Sequence, residues 1–189
     1  MSLVSRQPDL TDGVVRLRSW ALDDLDCVRQ AAADRRITEA TTVPVRFTEE
    51  AGHAFVRRQW SRATDRAGIS LVVTEADTDL AVGSVTLLFR PQRGVADLGY
   101  WLIPAARGRG MASPAARLLT EWALGTAGLA RVEAWVEPDN LASRRVLAAA
   151  GFVEEGVLRS FLAFPRRRAD AVVLARVAES EQRSSMRDQ

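Results

Sequence analysis

The stretch from Gly99 to Trp122, GYWLIPAARGRGMASPAARLLTEW, constrains the chain most, because its pattern changes period in the middle. Tyr100, Trp101, Leu102 and Ile103 make an apolar run with strand character, and Pro104 ends any ladder because proline has no amide hydrogen to donate. After Arg107-Gly108-Arg109-Gly110, the residues Met111, Ala115, Leu118, Leu119 and Trp122 fall on one face of a helix. Pro114 suits a first helical turn. A strand, a glycine-bearing turn and a helix start present unpaired amides and a positive dipole end, an arrangement suited to phosphate. Gly108 and Gly110 leave room for approach, Arg107 and Arg109 add charge, and Ser113 adds a hydroxyl. Two glycines alone are also what an ordinary strand-to-helix turn needs. The turn lacks the lysine of a P-loop, and its glycine spacing misses the dinucleotide fingerprint.

The remaining strand signals are Val14–Arg18, Ile69–Thr74, Leu80–Phe89, Ala96–Ile103, Val132–Val136, Phe152–Phe164 and Ala171–Val177. Helices are expected from Asp23 or Asp24, from Thr48, from about Met111 to Gly125, and after Asp139 or Asn140, with Gly151 at the last C-cap. Residues 34–47 read as irregular. The order β-α-α-β-β-β-α-β-α-β-β predicts a mixed sheet with helices on both faces, an α+β or α/β architecture. The strand–helix–strand passage through Met111 predicts one parallel pair.

Composition narrows the chemistry. At 189 residues the chain is long enough for one domain with a real core, expected over residues 10–178 with terminal extensions at 1–9 and 179–189. No signal-peptide hydrophobic region or membrane-spanning run is apparent, so a cytoplasmic location and no membrane partner are expected. Cys27 and His53 are the only cysteine and histidine, which predicts no disulfide and no metal site built on these residues. His53 reads as a helix-surface residue. All 26 basic residues are arginine, which cannot act as a general base. Net charge is only +2, and no basic stripe interleaves with aromatics, which disfavours nucleic-acid binding.

Arg107-x-x-Gly110-x-Ala112 after the GYWL strand resembles the acetyl-CoA pyrophosphate loop of the GNAT acetyltransferases. Asn140-Leu141-Ala142-Ser143 followed by Gly151-Phe152 resembles the segment of that superfamily's RimJ/RimL-type branch. Thr11-Asp12-Gly13 and Glu155-Gly156 also fit, so the resemblance covers roughly Leu10 to Val177. It implies the GNAT fold, in which the two central strands splay apart and acetyl-CoA lies in the gap. It implies acetyl-CoA as co-substrate, held by Arg107, Gly108, Arg109, Gly110, Met111, Ala112, Ser113 and Asn140, with an oxyanion contact from the backbone amide of Leu102 or Ile103.

The same resemblance gives Ser143 as the proton donor to the leaving thiolate; a helix-start serine satisfying an orphan amide is the alternative. Asp97 stands where many GNAT enzymes carry a general base, and a strand-start aspartate in solvent is its alternative. The RimL-type branch has an acid in the late strand, and Phe161-Leu162-Ala163 here has none. An α-amine with a pKa of about 8 needs little help from a base. The family's helix-start tyrosine is absent, because Tyr100, the only tyrosine, lies in the earlier strand. The implied reaction is acetyl transfer to a primary amine, a protein or peptide N-terminus or a small molecule, by a monomer or homodimer. A non-catalytic acyl-CoA-binding module is the alternative. In the family, the region equivalent to the loop 34–47 and the helix that opens at Thr48 and carries Phe55, Val56 and Trp60 lies over the acceptor groove, so substrate identity is expected to reside there.

Overall fold

The computed structural model describes residues 7–178; residues 1–6 and 179–189, which hold most of the expected terminal extensions, lie outside the described residues. Eight strands form one mixed sheet in the order β1-β2-β3-β4-β5-β6-β8-β7. They are β1 (Leu10–Thr11), β2 (Val15–Ser19), β3 (Gly68–Glu75), β4 (Ala81–Phe89), β5 (Val95–Leu102), β6 (Arg131–Val136), β7 (Val153–Phe164) and β8 (Arg167–Val177). The helices are α1 (Leu25–Ala32), α2 (Arg35–Ala40), α3 (Glu49–Thr64), α4 (Ala112–Gly125) and α5 (Leu141–Ala149). The mixed α/β sheet expected from the element order is what forms, with β5 and β6 as the parallel pair.

Two elements depart from the sequence reading. Residues 34–47 are not wholly irregular, because Asp34 accepts from the Arg36 amide at 2.8 Å and caps α2. Only Ile37 of that helix is buried, which leaves almost no periodic apolar signal. The short β1 is the other: it pairs antiparallel with β2 over two residues, too few to show alternation.

Neighbouring side chains on β5 show how the helices divide. Trp101 packs with Trp20 and with Phe55 of α3, at ring centroid distances of 6.1 and 6.5 Å. Tyr100 reaches Ser143 of α5. Successive strand residues point to opposite faces, so α3 lies on one side of the sheet and α5 on the other. Buried Met111, Ala115, Ala116, Leu119 and Ala123 make the inner face of α4, and Leu147 and Ala150 anchor α5. Beyond α5, Gly151 at φ 87° supplies the left-handed cap, and the Phe152 amide returns to the Leu147 carbonyl at 3.0 Å.

β4 grips β5 along its length, from Phe89↔Ala96 to Gly83↔Leu102. Gly83 is needed there: an added Cβ would lie 2.2 Å from the Trp101 carbonyl oxygen, a backbone atom that cannot swing away. Gly83→Ala is expected to lower stability by about 1–3 kcal/mol through overpacking. Gly99→Ala, whose Cβ would meet nothing within 4 Å, serves as the control in urea denaturation.

Candidate active site

β5 and β6 pair over only three residues, Val95↔Arg131, Ala96↔Val132 and Asp97↔Glu133, and then part. Hydrogen bonds at both ends of the β4–β5 ladder fix which way each β5 amide points. The Arg90 amide donates to the Val95 carbonyl and the Ile103 amide to the Val82 carbonyl, each at 2.9 Å. By the alternation of an antiparallel ladder, odd-numbered residues of β5 turn their backbone groups to β4. Leu98, Tyr100 and Leu102 turn theirs into the gap. The Ile103 amide is therefore committed to β4, which corrects the expectation that it could serve an oxyanion; the Leu102 amide is the one that faces the gap.

The turn after β5 is an amide cradle. Gly108 and Gly110 adopt φ of 73° and 77°, which side-chain-bearing residues rarely hold, and a Cβ at either would meet nothing within 4 Å. Among the described residues, the consecutive amides from Gly108 to Ser113 donate to no protein acceptor. Met111 caps α4 without a side-chain bond and buries its own side chain, so it and Ala112 offer backbone rather than side chain. The two arginines are partly committed. Arg107 pairs with Asp34 at 2.6 Å and donates to the Leu102 carbonyl at 3.1 Å, and Arg109 pairs with Glu75 at 2.6 Å. They brace the turn as well as charging it.

At the start of α5, Asn140 accepts from the Ser143 amide at 3.1 Å. Asn140 is therefore the cap, and the Ser143 hydroxyl is not spent on an orphan amide. It lies 2.5 Å from the Tyr100 hydroxyl, which also reaches the Ser143 carbonyl at 3.3 Å. The sequence places Tyr100 in an earlier strand and so implies no tyrosine at this helix start; β5 instead delivers Tyr100 there, against Ser143. Burial pushes the Tyr100 phenol up, opposed by the Ser143 hydrogen bond.

Asp97 occupies the last paired position before the strands part. It is not a solvent-facing strand start: its Oδ1 is buried without a hydrogen-bond partner among the described residues. Burial pushes its carboxyl up to about 6, with Arg90 opposing and Glu133 adding to the rise. A cleft of about 940 Å³ joins these parts, bordered by Asp97, Tyr100, Trp135, Asn140 and Ser143 and by Phe55, Gln59 and Arg62 of α3. Trp135 is held edge-on to Phe161 at 4.7 Å and lies under Arg90 at 4.2 Å. Neither it nor Arg62 was marked as a site residue in the sequence, since no local motif surrounds them. His53 lies on α3 and does not border the cleft. Cys27 is buried, and its thiol is pushed up by that burial. Among the described residues no group of three or more His, Cys, Asp or Glu is placed to hold a metal, and no helix is long and apolar enough to cross a membrane.

The family model described as the acetyltransferase (GNAT) domain matches residues 15–153. The chain belongs to the GNAT acetyltransferase family. It is 41% identical over 86 residues to a probable N-acetyltransferase, YjcK, of Bacillus subtilis (strain 168), which is 44% of this chain and 48% of that relative. The match thus spans about half of that relative's length. It is 28% identical over 147 residues to the uncharacterized N-acetyltransferase p20 of Bacillus licheniformis, covering 77% and 82% of the two chains. The Mycobacterium smegmatis RimJ structure in complex with CoA-disulfide superposes with a TM-score of 0.77 at 27% identity, over 88% of this chain and 83% of that one. That similarity agrees with the RimJ/RimL-type branch.

The raised Asp97 carboxyl has a sign for stability. A folded-state value above the ordinary 3.8 means that the fold favours the protonated acid, so this contribution is present at low pH and fades as pH rises through about 6. Asp97→Asn is therefore expected to raise Tm at pH 8 and to give little gain at pH 3.5. Thermal melts of both proteins across that range check it; a gain independent of pH speaks against a buried ionised Asp97.

Proposed function

We propose that the chain, through one catalytic domain over residues 10–178, transfers the acetyl group of acetyl-CoA to a primary amine. The observation that carries this reading is the run of unpartnered amides from Gly108 to Ser113 immediately after a strand that has parted from its neighbour. Backbone donors at a helix N-terminus suit a pyrophosphate, and gap-facing backbone groups suit the amides of a pantetheine arm.

Bound acetyl-CoA supplies the activated acetyl carbon. The Gly108–Ser113 amides hold its phosphates, with Arg107 and Arg109 adding positive potential and Asn140 shaping the path beside α5. Asp97 accepts the acceptor's ammonium proton through water, leaving the amine lone pair free to attack the thioester carbon. The Leu102 amide donates to the oxygen that gains charge as the carbon becomes tetrahedral. Ser143 gives its proton to the sulfur as the C–S bond breaks and regains one from the attacking nitrogen, which sheds its second proton through water as the amide forms; Tyr100, hydrogen-bonded to Ser143, supports that transfer. The products are the acetylated amine and the free thiol. Asp97 shares its face of the sheet with Trp101, whereas Tyr100 and Ser143 meet on the other. The amine thus enters from the α3 side and the sulfur leaves on the α5 side. The acceptor in this reading is a peptide or protein N-terminus, as the RimJ/RimL-type resemblance implies, or a small-molecule amine.

Two variants test the roles. Gly110→Glu sets a side chain and a negative charge in the cradle, and acetyl-CoA affinity should fall by orders of magnitude in a folded protein. Ser143→Ala should lower kcat by about 10²–10⁴-fold where chemistry limits the rate, with acetyl-CoA affinity nearly intact. Titration calorimetry and a thiol-release assay over amines and N-terminal peptides supply the readouts. Tight acetyl-CoA binding without turnover of any acceptor would replace the enzyme by a binding module.

A further inference from the structure

The wall of the cleft opposite α5 carries a cation that the proposed acetyl transfer does not use. Arg62, on α3, borders the cleft. Its Nε donates to Gln59 Oε1 at 3.2 Å. Gln59 is itself 2% exposed and is fixed by a 2.9 Å bond from its Nε2 to the Phe55 carbonyl. A buried amide therefore orients the guanidinium. The two Nη groups of Arg62 donate to no acceptor among the described residues, and no carboxylate lies within ion-pair distance.

Arg167 and Glu39, which also border the cleft, are by contrast neutralised. Arg167 is paired with Glu137, and Glu39 with Arg35 at 2.6 Å. Burial pulls the Arg62 guanidinium down from its ordinary value, and neighbouring Arg58 pulls it further. A cation that is partly desolvated, repelled by a second cation and left with free donors is a local cost to the fold. Guanidinium offers donors only, in a planar pair that matches a carboxylate. Arg36, on α2, also borders the cleft and has no carboxylate partner among the described residues.

We propose that this wall selects the acceptor: Arg62 receives a carboxylate carried by the amine substrate, whose amino group is directed to Asp97. The inference rests on the acetyl-transfer reading and narrows its acceptor to amines that also bear an anionic group. A free amino acid and a peptide with an acidic residue next to its N-terminus both supply that chemistry. A cleft of about 940 Å³ has room for such a molecule beyond the reacting centre.

Matched acceptor pairs test it. The pairs are a free amino acid and its carboxamide, and an N-terminal peptide with aspartate at its second position and the same peptide with asparagine. Thiol release gives kcat/KM for each with the wild-type protein, Arg62→Gln and Arg62→Lys. The wild type should favour the carboxylate member of at least one pair, and which pair does so identifies the source. Arg62→Gln should lower kcat/KM for that member by about ten- to hundredfold, mainly through KM, so that the preference within the pair collapses. Arg62→Lys keeps the charge without the planar donors and should recover part of the loss. Acetyl-CoA affinity, measured by calorimetry, should stay unchanged, which separates acceptor recognition from misfolding. Calorimetric titration of each acceptor into the CoA complex separates the two readings. Arg62-dependent binding of carboxylate amines without turnover supports the wall and removes the transfer reading. Turnover of both members of every pair at equal efficiency keeps transfer and overturns the wall, as does a preference that survives Arg62→Gln. Neither binding nor turnover of any acceptor overturns both.

Discussion

Everything in this fold depends on where β5 and β6 stop pairing. Three paired positions join the halves of the sheet, and the ladder ends at Asp97 and Glu133. The strands do not fray, because each is held on its outer side. β4 pairs with β5 as far as Leu102, and β8 pairs with β6 from Arg131 to Val136. The gap is thus a rigid opening between two intact half-sheets. Its inner wall presents the backbone groups of Tyr100 and the amide of Leu102, which a closed sheet would have satisfied, while the Leu102 carbonyl accepts from Arg107. Buried polar groups left unpaired are costly, so the gap favours a ligand with amide-like donors and acceptors along its length.

The same geometry explains the state of Asp97. At the last paired position it is covered by neighbouring strands, yet it borders the cleft. Burial and the adjoining Glu133 raise its carboxyl to about 6, and Arg90 limits the rise. Above that pH it is mostly ionised and can receive a proton, at a cost to the fold that an ordinary surface aspartate does not carry. A base near its working pH is an efficient proton acceptor. The lone histidine does not border the cleft and the chain has no lysine, so no imidazole or amine lies among the residues that line it.

Much of this was legible in the sequence where the cause is local. Proline after β5, glycines in the turn and the apolar spacing of α4 act over a few residues, and they mark the amide cradle in the sequence itself. Asn140 was readable as a helix cap for the same reason. What was not legible is set by contacts across the sheet. Tyr100 and Ser143 are 43 residues apart, and nothing in either neighbourhood announces their 2.5 Å contact. Arg62 looks like one of many helix-surface arginines until Gln59 and the cleft are seen beside it. The α2 helix hid because its capping carboxylate and single buried isoleucine give too weak a pattern.

Asp34 shows how these distant features become one device. Its carboxylate accepts from the Arg36 amide at 2.8 Å and so begins α2, and it also pairs with Arg107 of the cradle at 2.6 Å. Arg107 in turn donates to the Leu102 carbonyl, whose peptide neighbours supply the gap-facing amide. One acidic side chain therefore ties the turn after β5 to the start of α2, and it is the Asp34 carboxylate, 12% exposed against 41% for Arg107, that is shielded in this pair. Burial alone would raise the Asp34 carboxyl, but the Arg107 and Arg36 hydrogen bonds hold it below its ordinary value, so it stays charged through the neutral range. A charge drawn from Arg107 by a bound phosphate is drawn from the Asp34 pair as well. The cradle and the start of α2 consequently share one electrostatic connection, made through the Asp34 carboxylate.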